Sequence, residues 1–160
     1  MPEIRSQFLL AAFLGAAAIL PASAQEAFDA CNVFTQEDAA KALGTAANPE
    51  PQNPKAKRPR VVLGCAYHGS REGKPVSATA QFKFARTPDE QSRAFDDARL
   101  QLATKPMLIS GAEAFWAGKA GQMHVRKGRA WVTLTVGPAN VRERDLDSAK
   151  RAAEAIVKKL

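Results

Sequence analysis

From Val76 to Phe84 the chain alternates without a break: Val76, Ala78, Ala80, Phe82 and Phe84 are apolar, and Ser, Thr, Gln and Lys fill the positions between. A period of two sends successive side chains to opposite faces, so this stretch is a strand with one face packed and one face wet. Such a strand needs sheet neighbours and a layer over its apolar side. Val61-Val62-Leu63-Gly64-Cys65-Ala66-Tyr67 reads as a second strand, with residues 69–75 as the turn between them. Three more follow at Ala114-Phe115-Trp116, Gln122 to Arg126 and Arg129 to Val136, the last two joined through Lys127-Gly128 as a two-residue hairpin.

Helix signals frame these strands. Thr35 and Asp38 form a capping box for a helix ending at Leu43, where Gly44 can take positive φ. Thr87-Pro88-Asp89-Glu90 starts a second helix running to about Ala103, with Gln91, Phe95, Ala98 and Leu102 on one stripe. A last helix, Leu146 to Leu160, has an apolar face, with Asp145 and Asp147 at its start and Lys158 and Lys159 at its end. The expected fold class is α+β: an antiparallel sheet of about five strands packed by helices on one face, in the order α-β-β-α-β-β-β-α. Residues 45–60 carry Pro49, Pro51, Pro54 and Pro59 among Lys55, Lys57, Arg58 and Arg60, and are expected to form an exposed loop.

Residues 1–24 read as a signal peptide: Arg5, then an apolar run from Phe8 to Leu20 too short to span a bilayer, then Ala22-x-Ala24 for cleavage between Ala24 and Gln25. Residues 25–160 are then a single domain, periplasmic or secreted, with no transmembrane anchor after cleavage. Export changes the meaning of the other signals. Cys31 and Cys65, the only two cysteines, are expected to pair in an oxidising compartment. The net charge of +7, which in a cytosolic chain would point to nucleic acid, serves solubility here or else meets an anionic ligand, a glycan or another exported protein, the chain being a monomer.

No zinc set, Cys-x-x-Cys pair, phosphate loop or nucleophile elbow occurs, so no cofactor, metal or catalytic residue is expected. A small envelope hydrolase using His124 or His68 is the alternative, the latter near Ser70, and inhibition of an exported enzyme through the proline-rich loop is another. The hairpin gives the sharpest binding candidate. With Lys127-Gly128 as its loop, Arg126 lies opposite Arg129, His124 opposite Trp131, and Gln122 opposite Thr133. Met123, Val125, Ala130, Val132 and Leu134 then share one face. Gln122, His124, Arg126, Arg129 and Trp131 share the other, as a ligand- or partner-binding surface whose arginines an anion would compensate. The competing arrangement splays the arginines into solvent and covers Trp131 with a helix or loop. Phe115 and Trp116, as strand neighbours, are expected on opposite faces.

At Cys31-x-x-Phe34-Thr35-x-x-x-Ala39-x-x-x-Leu43-Gly44 and Gly64-Cys65-x-Tyr67 the chain resembles small exported bacterial domains of unknown function, often lipoproteins. Gly111-x-Glu113-Ala114-Phe115-Trp116 and Val125-Arg126-Lys127-Gly128 extend the resemblance over nearly the whole mature chain. It implies a sheet packed by helices and a linked cysteine pair, and carries no catalytic residues. Unlike the lipoproteins, this chain has no cysteine at the expected cleavage site.

Overall fold

The structure, a computed structural model, describes residues 28–50, 63–102 and 104–160; the expected signal peptide, its Ala24-Gln25 cleavage point and most of the 45–60 loop lie outside them. Two short helices, α1 (Ala30–Val33) and α2 (Gln36–Leu43), lead into strands β1 (Asn48–Pro49), β2 (Gly64–Arg71) and β3 (Lys74–Phe84). Helix α3 (Pro88–Gln101) follows, then β4 (Pro106–Ile109), β5 (Ala112–Ala117), β6 (Gln122–Lys127), β7 (Ala130–Pro138), a 3₁₀ turn at Val141–Glu143 and α4 (Leu146–Val157). The strands form one antiparallel sheet in the order β1-β2-β3-β7-β6-β5-β4.

The α+β class stands, and three details of the expectation are corrected. The described residues give seven strands instead of about five, in the order α-α-β-β-β-α-β-β-β-β-α. The two unforeseen strands, β1 and β4, are the sheet's edges. Each contains a proline, which an edge tolerates because its missing N–H faces no neighbour. The β2–β3 turn is also tighter than residues 69–75: the strands run to Arg71 and restart at Lys74 around Glu72-Gly73, both at positive φ.

The third correction concerns the helices, which cover both faces. Ala78, Ala80 and Phe82 of β3 join Val132, Leu134 and Val136 of β7 in a large core with α2 and α4. A smaller core on the other face brings Phe95 of α3 onto Phe115 and Ala117, with Trp131 alongside. Trp116 packs with the large core and Phe115 with the small one, on opposite faces as expected.

Cys31 and Cys65 form a disulfide that ties α1 to β2, their Cα atoms 5.2 Å apart. Next to it the Tyr67 hydroxyl donates to the Phe34 carbonyl at 2.9 Å. All three helix starts read from the sequence are present: the Thr35–Asp38 capping box on α2, Thr87 with Pro88 at the start of α3, and Asp145 capping α4. Helix α3 stops at Gln101, leaving Leu102 exposed instead of on the buried stripe.

Candidate functional site

The β6–β7 hairpin turns through Gly128-Arg129 and not through Lys127-Gly128: Lys127 pairs with Ala130, and Gly128 takes φ +56° at the first loop position. Glycine at that position is what a type II′ turn requires. The slip moves each cross-strand partner by two residues, which preserves the division of faces but removes the Arg126–Arg129 pair. Arg126 now lies beside Trp131 on one side and Glu113 of β5 on the other. Its Nε donates to Glu113 Oε2 at 2.7 Å, and Nη2 reaches the same oxygen. Arg129 stands in the loop and donates from Nε to the Ala85 carbonyl at 2.8 Å. Both guanidiniums therefore already hold partners in the fold.

His124 and Trp131 are placed under α3. The Trp131 ring meets Phe95 edge-on at 5.6 Å, and Lys83 Nζ sits 5.4 Å from its centroid. His124 is 7% exposed and stacks on Phe115 at 4.5 Å. The Trp131 indole N–H donates to His124 Nδ1 at 3.2 Å, which fixes that nitrogen as an acceptor and places the neutral ring's proton on Nε2. Nε2 is buried without a hydrogen-bond partner, as are both amide atoms of Gln91 on α3. Gln122 is half-buried at the start of β6.

Burial lowers the His124 pKa to about 4, because a charged ring there loses its water. Protonation would also turn Nδ1 into a donor facing the indole N–H. A folded-state pKa below the unfolded value means that the unfolded chain binds the extra proton. Stability is therefore full above about pH 6.5 and falls as pH drops toward 4, by about 3 kcal/mol if the whole shift is realised. Urea titrations across this window should show that loss in the parent and a shallower profile in His124→Leu, since the lowered carboxyl pKa values of Glu37, Asp38 and Asp145 leave a smaller acid loss of their own. Parallel profiles would refute the assignment.

The other histidine is in a different setting. His68 lines a shallow surface hollow of about 540 Å³ with Thr45, Asn48, Pro49 and Ser70, and no carboxylate lines it. The Thr45 hydroxyl there donates to the Ser70 carbonyl at 2.7 Å.

A feature the sequence reading missed lies at the opposite edge of the sheet. Phe95, Asp96 and Arg99 of α3, Pro106, Met107 and Leu108 of β4, and Glu113 and Ala114 of β5 enclose a cleft of about 350 Å³. Its floor is apolar. At its rim, Asp96 pairs with Arg99 at 3.4 Å and Glu113 with Arg126. Leu108, at 74% exposure, is the most exposed of the molecule's large hydrophobic side chains among the described residues. The Ser110-Gly111 turn closes β4 onto β5 at Ile109–Ala112, so Leu108 occupies a non-hydrogen-bonded position opposite Glu113. Its N–H and C=O consequently point to the free edge, where a further strand could pair. Among the described residues no helix is long and apolar enough to cross a membrane, and no cluster of three or more His, Cys, Asp or Glu could hold a metal ion. Compared with family models, curated proteins and solved structures, the chain matches none, and its function has to be read from its own residues.

Proposed function

We propose that the chain is an exported, disulfide-stapled, non-catalytic binding module that takes an extended segment of another exported protein along the β4 edge. The observation that carries this reading is Leu108, whose backbone groups face the free edge while its apolar side chain lines the α3–β4 cleft. Strand addition uses these two elements together: main-chain pairing provides affinity, and a side-chain pocket provides selectivity. The setting of His124 supports a binding role over hydrolysis, since Nδ1 is occupied by Trp131 and burial weakens the ring as a base. Export, and the kinship with exported domains of unknown function, belong to the same proposal, and the Cys31–Cys65 disulfide supports both.

The test is a photo-crosslinking residue at position 108 in the protein produced with its N-terminal segment and recovered from the envelope, beside a control residue at Lys119. A partner captured from position 108 alone, and lost when Pro106→Glu, on the same face of β4 as Leu108, charges the cleft wall, supports the proposal. Equal capture from both positions, or capture unaffected by the charged variant, refutes it.

A further inference from the structure

The hairpin end of the sheet combines exposed apolar and basic side chains. Phe84, the last residue of β3, is 41% exposed, and Leu63, whose carbonyl accepts from the Phe82 amide, is 44% exposed. Lys83 and Arg86 flank Phe84, and Lys127 and Arg129 belong to the adjoining β6–β7 turn, where Lys127 Nζ donates to the Val157 carbonyl at 2.8 Å. All four basic residues are exposed. The backbone locks these segments into one surface: Ala85 N–H donates to Arg129 O at 3.1 Å, and Arg129 Nε returns to Ala85 O at 2.8 Å. Glu90 accepts from the Arg86 amide, and Asp29 caps α1.

We infer that this pole docks on a membrane surface bearing anionic headgroups, with Phe84 and Leu63 entering the interface while Lys83, Arg86 and Arg129 meet phosphates. The reading rests on the export already proposed, and it concerns a surface separate from the β4 cleft. Charge complementarity is the first argument: a cationic rim around exposed apolar side chains matches an anionic interface, where each signal alone binds marginally and the two together hold. The second is where the preceding chain enters. Phe28 packs on Phe82 and Phe84, with ring centroids 5.1 and 4.8 Å apart. The apolar run ends at Leu20, and the stretch from Pro21 to Phe28 spans at most about 28 Å when fully extended. A chain still attached to that run therefore holds this pole, and not the opposite one, close to the bilayer during export.

The test uses the disulfide-bonded protein as recovered after export, its N-terminus read by mass spectrometry, and sedimentation with vesicles of phosphatidylcholine with and without phosphatidylglycerol. Binding to the anionic vesicles alone, weakening with salt, is expected. Lys83→Glu with Arg129→Glu should weaken it by about a hundredfold or more. The same charge change at the opposite pole, Lys119→Glu with Arg142→Glu, should weaken it far less. Phe84→Ser should reduce vesicle binding while leaving retention on a soluble polyanion, heparin, unchanged. Unmoved melting temperatures show that the variants are folded. No binding to anionic vesicles, equal losses from both charge pairs, competition by millimolar inorganic phosphate, or an unaltered Phe84→Ser protein would each overturn the inference. Failure of export itself would register separately, as free thiols and absence from the envelope fraction.

Discussion

Replacing Cys31 and Cys65 together by alanine is expected to remove about 4 kcal/mol of stability, the chain-entropy value for a cross-link closing a loop of this length. For a domain whose whole margin is about 5–15 kcal/mol, that is a large share. The melting temperature should fall by roughly 12 °C, and the urea dependence should steepen because the unfolded chain is released from its loop. The local consequence follows from what the bond holds. Helix α1 has four residues, capped by Asp29 alone at its start, and by itself it is too short to persist. With the bond gone, α1 and Phe34 keep the Tyr67 hydrogen bond and their apolar contacts but lose their covalent tie to β2. Limited proteolysis should therefore cut first between Phe28 and Phe34 in the alanine variant and not in the parent. A double variant within about 1 kcal/mol of the parent would show that packing, and not the cross-link, seats this segment.

The elements most legible in the sequence were those whose local chemistry and long-range contacts agree. The alternation of β3 survives because its apolar residues meet a complementary row on β7, and the caps at Thr35 and Thr87 form because side chain and backbone lie three residues apart. The edges were hidden for a physical reason. Asn48–Pro49 and Pro106–Ile109 are short, and their pairing is written in their partners: β1 exists because Tyr67 and His68 offer it a neighbour. The side of the sheet on which each helix lies was equally illegible. The stripe of α3 names the residues that pack, Gln91 and Phe95, but not the face they pack against.

The arrangement of the β6–β7 hairpin was half legible. Face assignment depends only on parity, so His124, Arg126 and Trp131 were correctly grouped. Register depends on which glycine-containing pair takes the turn, and Gly128-Arg129 prevailed because II′ geometry wants glycine first. That slip replaced a repulsive arginine pair by the Arg126–Glu113 contact, to which Glu113 comes from β5, thirteen residues before Arg126. The α3–β4 cleft left one trace in the sequence: Met107-Leu108-Ile109 places apolar side chains on both faces of a short strand, more than one covering layer can bury.

Phe115→Ala is expected to cost about 3–5 kcal/mol at pH 7, in the range found when buried phenylalanines are truncated. Phe115 is fully buried between the His124 ring and Phe95, which lies 4.9 Å away. The core under α3 is small, so loss of this ring leaves the helix held by Phe95 against Ala117 and Trp131. The large core on the other face is untouched, and the sheet should remain folded at a lower midpoint. The pH dependence distinguishes this site from any other buried residue. Removing Phe115 opens the stacked face of His124 to water, and its pKa should climb from about 4 back toward the ordinary imidazole value. The parent loses stability on acidification because its histidine resists charging; the variant, relieved of that resistance, loses less. The cost of Phe115→Ala should accordingly shrink by about 1–2 kcal/mol between pH 7 and pH 4.5. Leu134→Ala, in the large core, should show a comparable cost with no such change. Equal pH profiles for the two variants would mean that the stacked ring does not hold His124 neutral, and that its surroundings under α3 must do so instead.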